Sequence, residues 1–593
     1  MTAAETPANS PGPPPRIARR TPLTGRLVAT VVVIAILLFL VLGPLLMLIL
    51  STFRDSHGSL PFSAGATWTF ENYTRVFLSP TTWKLLGTTL VFSLGSLAFS
   101  LLVSVFLAWL VERTNMRFRN VVFVLIVASI GIPNVILGIA WDLVLNPVNG
   151  MVNVLLRGFL GVAGPGPISL YSLPGLIFVQ GISLVPITFL LLSAAFRAID
   201  VSLEDAATAS GASFLAVTRR ITLPLLLPAL LSAFVYQFVS VVESFDIPLI
   251  IGLRAGIPVL STQIYISVRP PGGLPDYGLA STYSLFLLAL ALGPLLFYNR
   301  VIARSERYAT ITGRGFQPRR VHLGRWRTPA LIFCIAFVTL SFVVPALVLF
   351  WASTQPFYAI PSPEAFARMS FKAYGELFAN PQFHKAIVNT VILGVTVGAF
   401  TLVIGSLVGW ILVRTRSRAR FLLDLLSFLP HAMPGVIIGL SVLLIYLIID
   451  PFLPIPIYAT LWIIVIAMST QYVSLATRLM SGAIAQVKLE LEEAADTSGA
   501  SWLAGMRRVV LPLIRPAFIN GFLLVFLQAI KNLTLALILL SPGGVVVSTL
   551  IYSFWDRANT AATGALGVVI LLITVVLSIF LRRANNRGGT VVA

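Results

Sequence analysis

Most of the side chains placed to do chemistry in this sequence fall in a stretch that occurs twice. LEDAATASGASFLAVTRRITLPLLLPAL, residues 203 to 230, recurs as LEEAADTSGASWLAGMRRVVLPLIRPAF, residues 491 to 518, with 17 of 28 residues identical at an offset of 288. Paired acids, Glu204-Asp205 and Glu492-Glu493, precede the alanines Ala206-Ala207 and Ala494-Ala495. Gly211 and Gly499 follow, then Arg219-Arg220 and Arg507-Arg508, then Leu223-Pro224 and Leu511-Pro512. Ser202 opens a Ser-x-x-Asp capping box with Asp205, and Glu204 adds a second acid to the positive first turn of a helix. Alanine favours helix without adding bulk, and glycine permits a left-handed stop. Each copy therefore predicts a short, small-faced helix that another protein's backbone could approach closely. That is docking chemistry, not catalysis.

Other chemistries lack their residues. No HExxH, no Cys/His cluster and no serine nucleophile motif occurs, and none of Lys84, Lys372, Lys385, Lys488 and Lys531 follows a glycine. A phosphate loop of the GxxxxGK[ST] kind is thus missing, so any ATP consumed must be hydrolysed by another chain. Cys334 is the sole cysteine, which excludes an intrachain disulfide and a thiolate metal site. Net charge +20 could imply nucleic acid, but no DNA- or RNA-binding motif accompanies it.

The elements that must position the duplicated stretches are apolar. With 57% hydrophobic and 10% charged residues, the chain is composed for a bilayer, and runs such as Leu27 to Leu50 meet the roughly 20 residues that a spanning helix needs. Period-2 alternation is absent, so helices are the spanning form. Twelve spans are expected, near 27-50, 86-111, 120-145, 170-196, 225-250, 280-299, 329-352, 386-413, 421-449, 457-480, 514-540 and 561-581. Counted by that topology, 30 of the 41 Lys and Arg lie on one side, which the positive-inside rule makes the cytoplasm. Both termini and both duplicated stretches then face the cytoplasm of a bacterial inner membrane. The fold class is all-α and polytopic: a disordered tail (1-26), a first six-span repeat (27-299), a basic linker suited to anionic lipid headgroups (300-328), a second six-span repeat (329-583) and a short tail (584-593).

The duplication reaches further. Thr89, Trp109, Arg113-Thr114, Pro133 and Gly138 recur as Thr390, Trp410, Arg414-Thr415, Pro434 and Gly439 at an offset of 301, and the outward loop 146-169 accounts for the later fall to 288. An even number of spans per half makes this a parallel repeat around a central path. Leu223-Pro224 is expected to stop a short arginine-bearing helix and start the fifth span, passing movement of the surface helix to the membrane. Pro133 and Pro434 predict kinks whose freed carbonyls line the path. Glu243 and Asp246 in the fifth span, with Lys531 at the position matching Glu243 in the eleventh, are candidate path residues. Two arrangements fit the charges: Glu243 and Lys531 pair across the pseudo-twofold axis, or both snorkel outward. His431, between Pro430 and Pro434, reads as a packing residue.

Glu-Ala-Ala, then glycine, then Leu-Pro resembles the EAA loop of inner-membrane permeases in binding-protein-dependent ABC importers. Two fused six-span halves resemble the iron(III)-type permeases over residues 27 to 583. The resemblance implies that the short helices are coupling helices seated in two copies of a cytoplasmic ATPase, through Glu204, Asp205, Ala206, Ala207, Gly211, Leu223 and Pro224 and their counterparts Glu492, Glu493, Ala494, Ala495, Gly499, Leu511 and Pro512. It also implies a periplasmic or lipid-anchored solute-binding protein, ATP used by the partner, no cofactor on this chain, and iron(III), thiamine, polyamine or aminophosphonate as cargo. A gradient-driven secondary carrier would share the two parallel halves, but it leaves the acid-alanine-glycine stretches unexplained.

Overall fold

The computed structural model describes residues 24–55, 60–63, 65–200, 202–302, 321–415 and 419–587. The first tail through residue 23, linker residues 303–320, loop residues 416–418 and the end from 588 lie outside them.

The spans form as continuous helices because their apolar runs satisfy every backbone group internally. The first half contains Leu27–Ser51, Pro80–Arg113, a broken third span, Leu173–Ala198, Phe214–Val242 and Tyr277–Ile302. The second contains Gly324–Thr354, Pro381–Arg414, a broken ninth span ending in Gly435–Phe452, Leu461–Ala485, Trp502–Lys531 and Thr560–Arg587. The third span is Arg119–Gly131 followed by Asn134–Leu145, bent by 100° at Pro133. Pro133 is extended at ψ 138°, as a residue flanking a helix start should be, and Pro434 repeats this at ψ 140°.

Two expectations need correction. Pro224 and Pro512 do not stop the helices before them: Phe214–Val242 and Trp502–Lys531 each run unbroken through the proline. A π-turn, Thr218–Thr222 or Met506–Val510, absorbs the missing donor and the ring's bulk, with Leu223 N–H bonding Thr218 O and Leu511 N–H bonding Met506 O, five residues back. The same device precedes Pro44 (Leu38–Leu42) and Pro345 (Thr339–Val343), so the pattern occurs four times among the described residues. Nor do the fifth and eleventh spans reach residues 250 and 540. Their helices end at Val242 and Lys531, and the chain continues in short apolar pieces, among them Leu260–Val268 in the first half and Leu533–Ile538 and Val547–Asp556 in the second.

Recurring residues hold equivalent contacts. Thr89 Oγ1 accepts from Leu260 N at 3.0 Å and Thr390 Oγ1 from Val547 N at 2.9 Å, each meeting an orphan donor at the start of a short helix. A Cβ on Gly138 would meet Ile250 at 3.4 Å, and one on Gly439 would meet Ile538 at 3.2 Å. In the first outward loop of each half, on the helices Glu71–Phe77 and Lys372–Ala379, Tyr73 OH meets Thr52 Oγ1 at 2.8 Å and Tyr374 OH meets Ser353 Oγ at 2.9 Å. The first span of each half packs on the other half: Gly43–Ser51 lies against Gly435–Ile449, and Val344–Thr354 against Asn134–Leu145. Thr470 Oγ1 donates to Leu40 O at 3.3 Å across this seam.

The eighth and tenth spans meet through Gly405 and Gly409, where an added Cβ would stand 2.7 Å from the Ala476 carbonyl carbon and 2.9 Å from Ser481 N. Backbone against backbone leaves no side chain to move aside. Gly405→Leu is expected to cut the yield of monodisperse, detergent-solubilised protein at least fivefold, read by fluorescence-detected size exclusion. An undiminished peak would show that the two helices separate at little cost.

Candidate functional site

On the basic face, Ser202–Ala209 and Leu489–Thr497 form the short helices expected from the duplicated stretch. Both end as glycine stops require, with Gly211 at φ 84° and Gly499 at φ 80°. Ala212 N–H reaches Ala207 O and Ala500 N–H reaches Ala495 O, both at 3.0 Å, the six-to-one bond of a Schellman turn. The start of the first helix differs from expectation: Ser202 is already helical, and its N–H is accepted by the Asp200 carboxylate at 2.9 Å.

What holds these helices is a pair of ion bridges. Glu204 Oε2 lies 2.6 Å from Arg113 Nη2, and Glu492 Oε1 lies 2.7 Å from Arg414 Nε. All four groups are largely shielded, with the arginine side chains 5% and 11% exposed and the glutamates 17% and 15%. Both arginines end the second span of their own half, so each surface helix is tied to a membrane helix it does not follow in sequence. The remaining carboxylate oxygen differs between halves. Thr222 Oγ1, in the π-turn beneath the fifth span, donates to Glu204 Oε1 at 2.7 Å, whereas Trp410 Nε1 donates to Glu492 Oε2 at 2.9 Å. Arg414 also donates to Ile484 O and Val487 O at 3.2 and 2.6 Å, closing the end of the tenth span. In the sequence Arg113 and Arg414 recur, but nothing in their spacing joins them to the acids. Their coupled recurrence with Glu204 and Glu492 was the available signal.

Around these bridges the outer surface is open. Ala206, Gly211, Glu493, Ala494 and Gly499 are exposed. Apolar side chains are exposed at matched positions: Leu203 and Leu491 at 46% and 47%, Leu215 and Leu503 at 74% and 67%. Leu223 and Leu511 begin the long helices above the π-turns, and Pro224 and Pro512 follow them.

Within the membrane, Glu243 and Lys531 occupy the same break at the end of the fifth and eleventh helices, and they form no ion pair with each other. Each turns instead to the kinked span of the opposite half. Lys531 Nζ donates to Ile130 O at 3.0 Å, at the end of the half-helix before Pro133, while the Glu243 carboxylate lies beside the backbone N–H of Gly435, the first residue after Pro434. Charge and helix polarity agree: an ammonium meets a carbonyl end and a carboxylate meets an N–H end. Asp246 Oδ1 accepts from Thr534 Oγ1 at 3.1 Å, a further tie between halves. His431 stacks on Tyr236 of the first half, ring centroids 6.3 Å apart, and packs at a tilt against Phe428 at 5.8 Å. The path candidates Glu243, Asp246, Lys531, Pro133 and Pro434 therefore gather where the two halves meet, though by contacts other than direct pairing.

The duplicated halves have recognised relatives. The chain is 25% identical over 557 residues, covering 92% of its length and 76% of theirs, to the ferric transport system permease protein FbpB of Actinobacillus pleuropneumoniae. It is 25% identical over 393 residues to the putative ferric transport system permease protein FbpB 1 of Haemophilus influenzae, covering 66% of this chain and 59% of that one. The sulfate transport system permease protein CysT of Salmonella typhimurium is 29% identical over 234 residues, 38% of this chain and 84% of its own. The family described as binding-protein-dependent transport system inner membrane component matches residues 100–307 and again 401–587, once in each half. With both matches spanning a second-to-sixth-span unit that carries a braced surface helix, the chain belongs to the family of inner-membrane components of binding-protein-dependent transport systems.

Proposed function

We propose that this chain is the whole translocation path of an ABC importer, that two copies of a cytoplasmic ATPase seat on its two surface helices, and that its cargo is iron(III) handed over by a periplasmic or lipid-anchored binding protein. The observation that carries the reading is the pair of equivalent braces, Arg113–Glu204 and Arg414–Glu492, each presenting a small-faced helix flanked by exposed leucines. Two matched apolar surfaces call for two matched partners. Ferric iron rests on the relatives that span most or much of the chain, both ferric transport permeases by name.

In this mechanism the ATPase dimer closes on ATP and draws the two surface helices together. Glu204 and Glu492 transmit the displacement to the second spans, and the π-turned rods beneath Pro224 and Pro512 carry it to the fifth and eleventh spans. At the far ends of those rods, the contacts of Glu243 with Gly435 and of Lys531 with Ile130 then break and the path changes its open side. Both termini and the basic linker stay on the ATPase side.

Affinity purification of the tagged chain from gently solubilised native membranes, followed by native mass spectrometry, tests the assembly. One chain with two ATPase copies is expected. Uptake of radiolabelled ferric iron against sulfate in proteoliposomes tests the cargo, and sulfate uptake without iron uptake would overturn that part alone. Substitution of Gly211 and Gly499 by valine tests the docking faces. Nothing lies within 4 Å of a Cβ at either position, so the change leaves internal packing intact and costs about 1–2 kcal/mol of left-handed strain per site. The double variant is expected to lose at least tenfold in uptake and to retain less ATPase on purification. Full uptake would place the ATPase contact elsewhere.

A further inference from the structure

On the basic face, between the second and third spans, the chain builds a recess that the transport mechanism does not use. Its volume is about 440 Å³, and its lining includes Arg117, Arg119, Arg327, Asn115 and Asn120, with no acidic residue among the described ones. Two segments far apart in sequence make it. The C-terminal end of the linker pairs with the loop after the second span: Val321 N–H bonds Arg113 O at 2.8 Å and Asn115 N–H bonds Val321 O at 3.1 Å. Asn115 Oδ1 accepts from Leu323 N at 3.1 Å, and its amide nitrogen meets His322 Nδ1 at 3.0 Å. This clamp brings Arg327, at the start of a helix in the second half, beside Arg117 and Arg119 of the first. Phe118 lies between those two arginines at φ 58°, a left-handed turn that lets residues two apart line one recess.

The exposed guanidinium groups of Arg117 and Arg327, on either side of a small polar recess, are suited to a phosphate, which they meet with paired N–H donors. What flanks the recess selects among phosphates. Phe118 and Trp326 are 58% and 62% exposed, and both stand at the mouth of helices that enter the membrane. Exposed aromatics at that level belong to the headgroup belt of a bilayer, and a free phosphate in water would gain nothing from them. We infer that this recess holds the phosphodiester of an anionic phospholipid from the leaflet on the basic face, binding the linker's end to the loop between the second and third spans. Lipid here would staple the first half to the start of the second, through a clamp on Arg113, whose side chain braces the first ATPase-docking helix.

Native mass spectrometry of the full chain, purified with phosphatidylglycerol and then exchanged into lipid-free detergent, reads the site directly. The expected result is retained phosphatidylglycerol that falls at least fivefold in Arg117→Gln/Arg327→Gln and persists in 10 mM inorganic phosphate. Arg325→Gln removes a charge from the same segment outside the recess and is expected to change retention less than twofold. Equal retention by the double variant would overturn the site. Equal loss in Arg325→Gln would replace it with diffuse attraction of a basic face, and displacement by inorganic phosphate would make the ligand a free anion. Size-exclusion profiles of both variants, expected to match the parent because the substituted side chains are solvent-facing, separate loss of lipid from loss of fold.

Discussion

Arg414→Ala is expected to abolish uptake at least tenfold while leaving the chain inserted and monodisperse. Among the described residues Arg414 is the sole charged partner of Glu492, and it also satisfies the carbonyls of Ile484 and Val487, so its removal withdraws a donor from three acceptors at once. Breaking a shielded ion pair by deleting one member costs about 3–5 kcal/mol, and the partial exposure of Glu492 sets the expectation at the lower end. A nine-residue helix has no stability of its own to oppose that loss, since isolated helices of this length are marginal in water. The surface helix would detach while the spans, held by their own apolar packing, would stay. Arg113→Ala should follow the same course with a smaller effect, because each glutamate keeps one donor, Thr222 or Trp410, whereas Arg414 also holds two backbone carbonyls. Arg414→Lys keeps the charge but not the fork that serves a carboxylate and two carbonyls together, so partial recovery is expected. ATP-driven uptake in proteoliposomes, with size exclusion as the fold control, measures all three. Uptake by Arg414→Ala within twofold of the parent would mean that the brace transmits nothing.

Much of this architecture is legible in the sequence because the bilayer imposes it. Runs long enough to span, the basic bias and the offset duplication place twelve spans, and Gly211 and Gly499 stop their helices with the left-handed turn that their residue type allows. What sequence conceals is continuity. Leu223-Pro224 looks like a boundary, yet the π-turn beneath it depends on a five-residue hydrogen bond that no residue type announces. The fifth span looks longer than it is because the pieces after Val242 are equally apolar, and only the polar break at Glu243-Ser244, matched by the Asn532 side chain capping Leu535, marks its end. The arginine braces stay hidden for another reason. Arg414 and Glu492 are 78 residues apart, and duplication shows that both matter without showing that they touch.

Exchanging the intramembrane charges, Glu243→Lys together with Lys531→Glu, is expected to transport no better than either single variant, with all three at or below a tenth of the parent. Were the two groups partners, the exchange would restore an ion pair. Their actual partners are the two ends of broken helices, which carry roughly half an elementary charge of opposite sign and cannot be exchanged by mutation. A lysine at 243 would face the N–H end at Gly435, and a glutamate at 531 would face the carbonyl of Ile130, so the double variant contains two repulsions where the parent has two attractions. Lys531→Met gives the graded control: it withdraws the donor from Ile130 O without placing a negative charge against it, and should retain more uptake than Lys531→Glu. Burial sharpens these differences, because a charge inside a membrane protein is stabilised almost wholly by its immediate partners. If the exchange recovers uptake to within a third of the parent, the two charges meet each other in the working cycle and the crossed contacts at Pro133 and Pro434 belong to only one of its states. If it does not, the kinked spans are the receptors for both charges, and opening the path means withdrawing each charge from the half opposite its own.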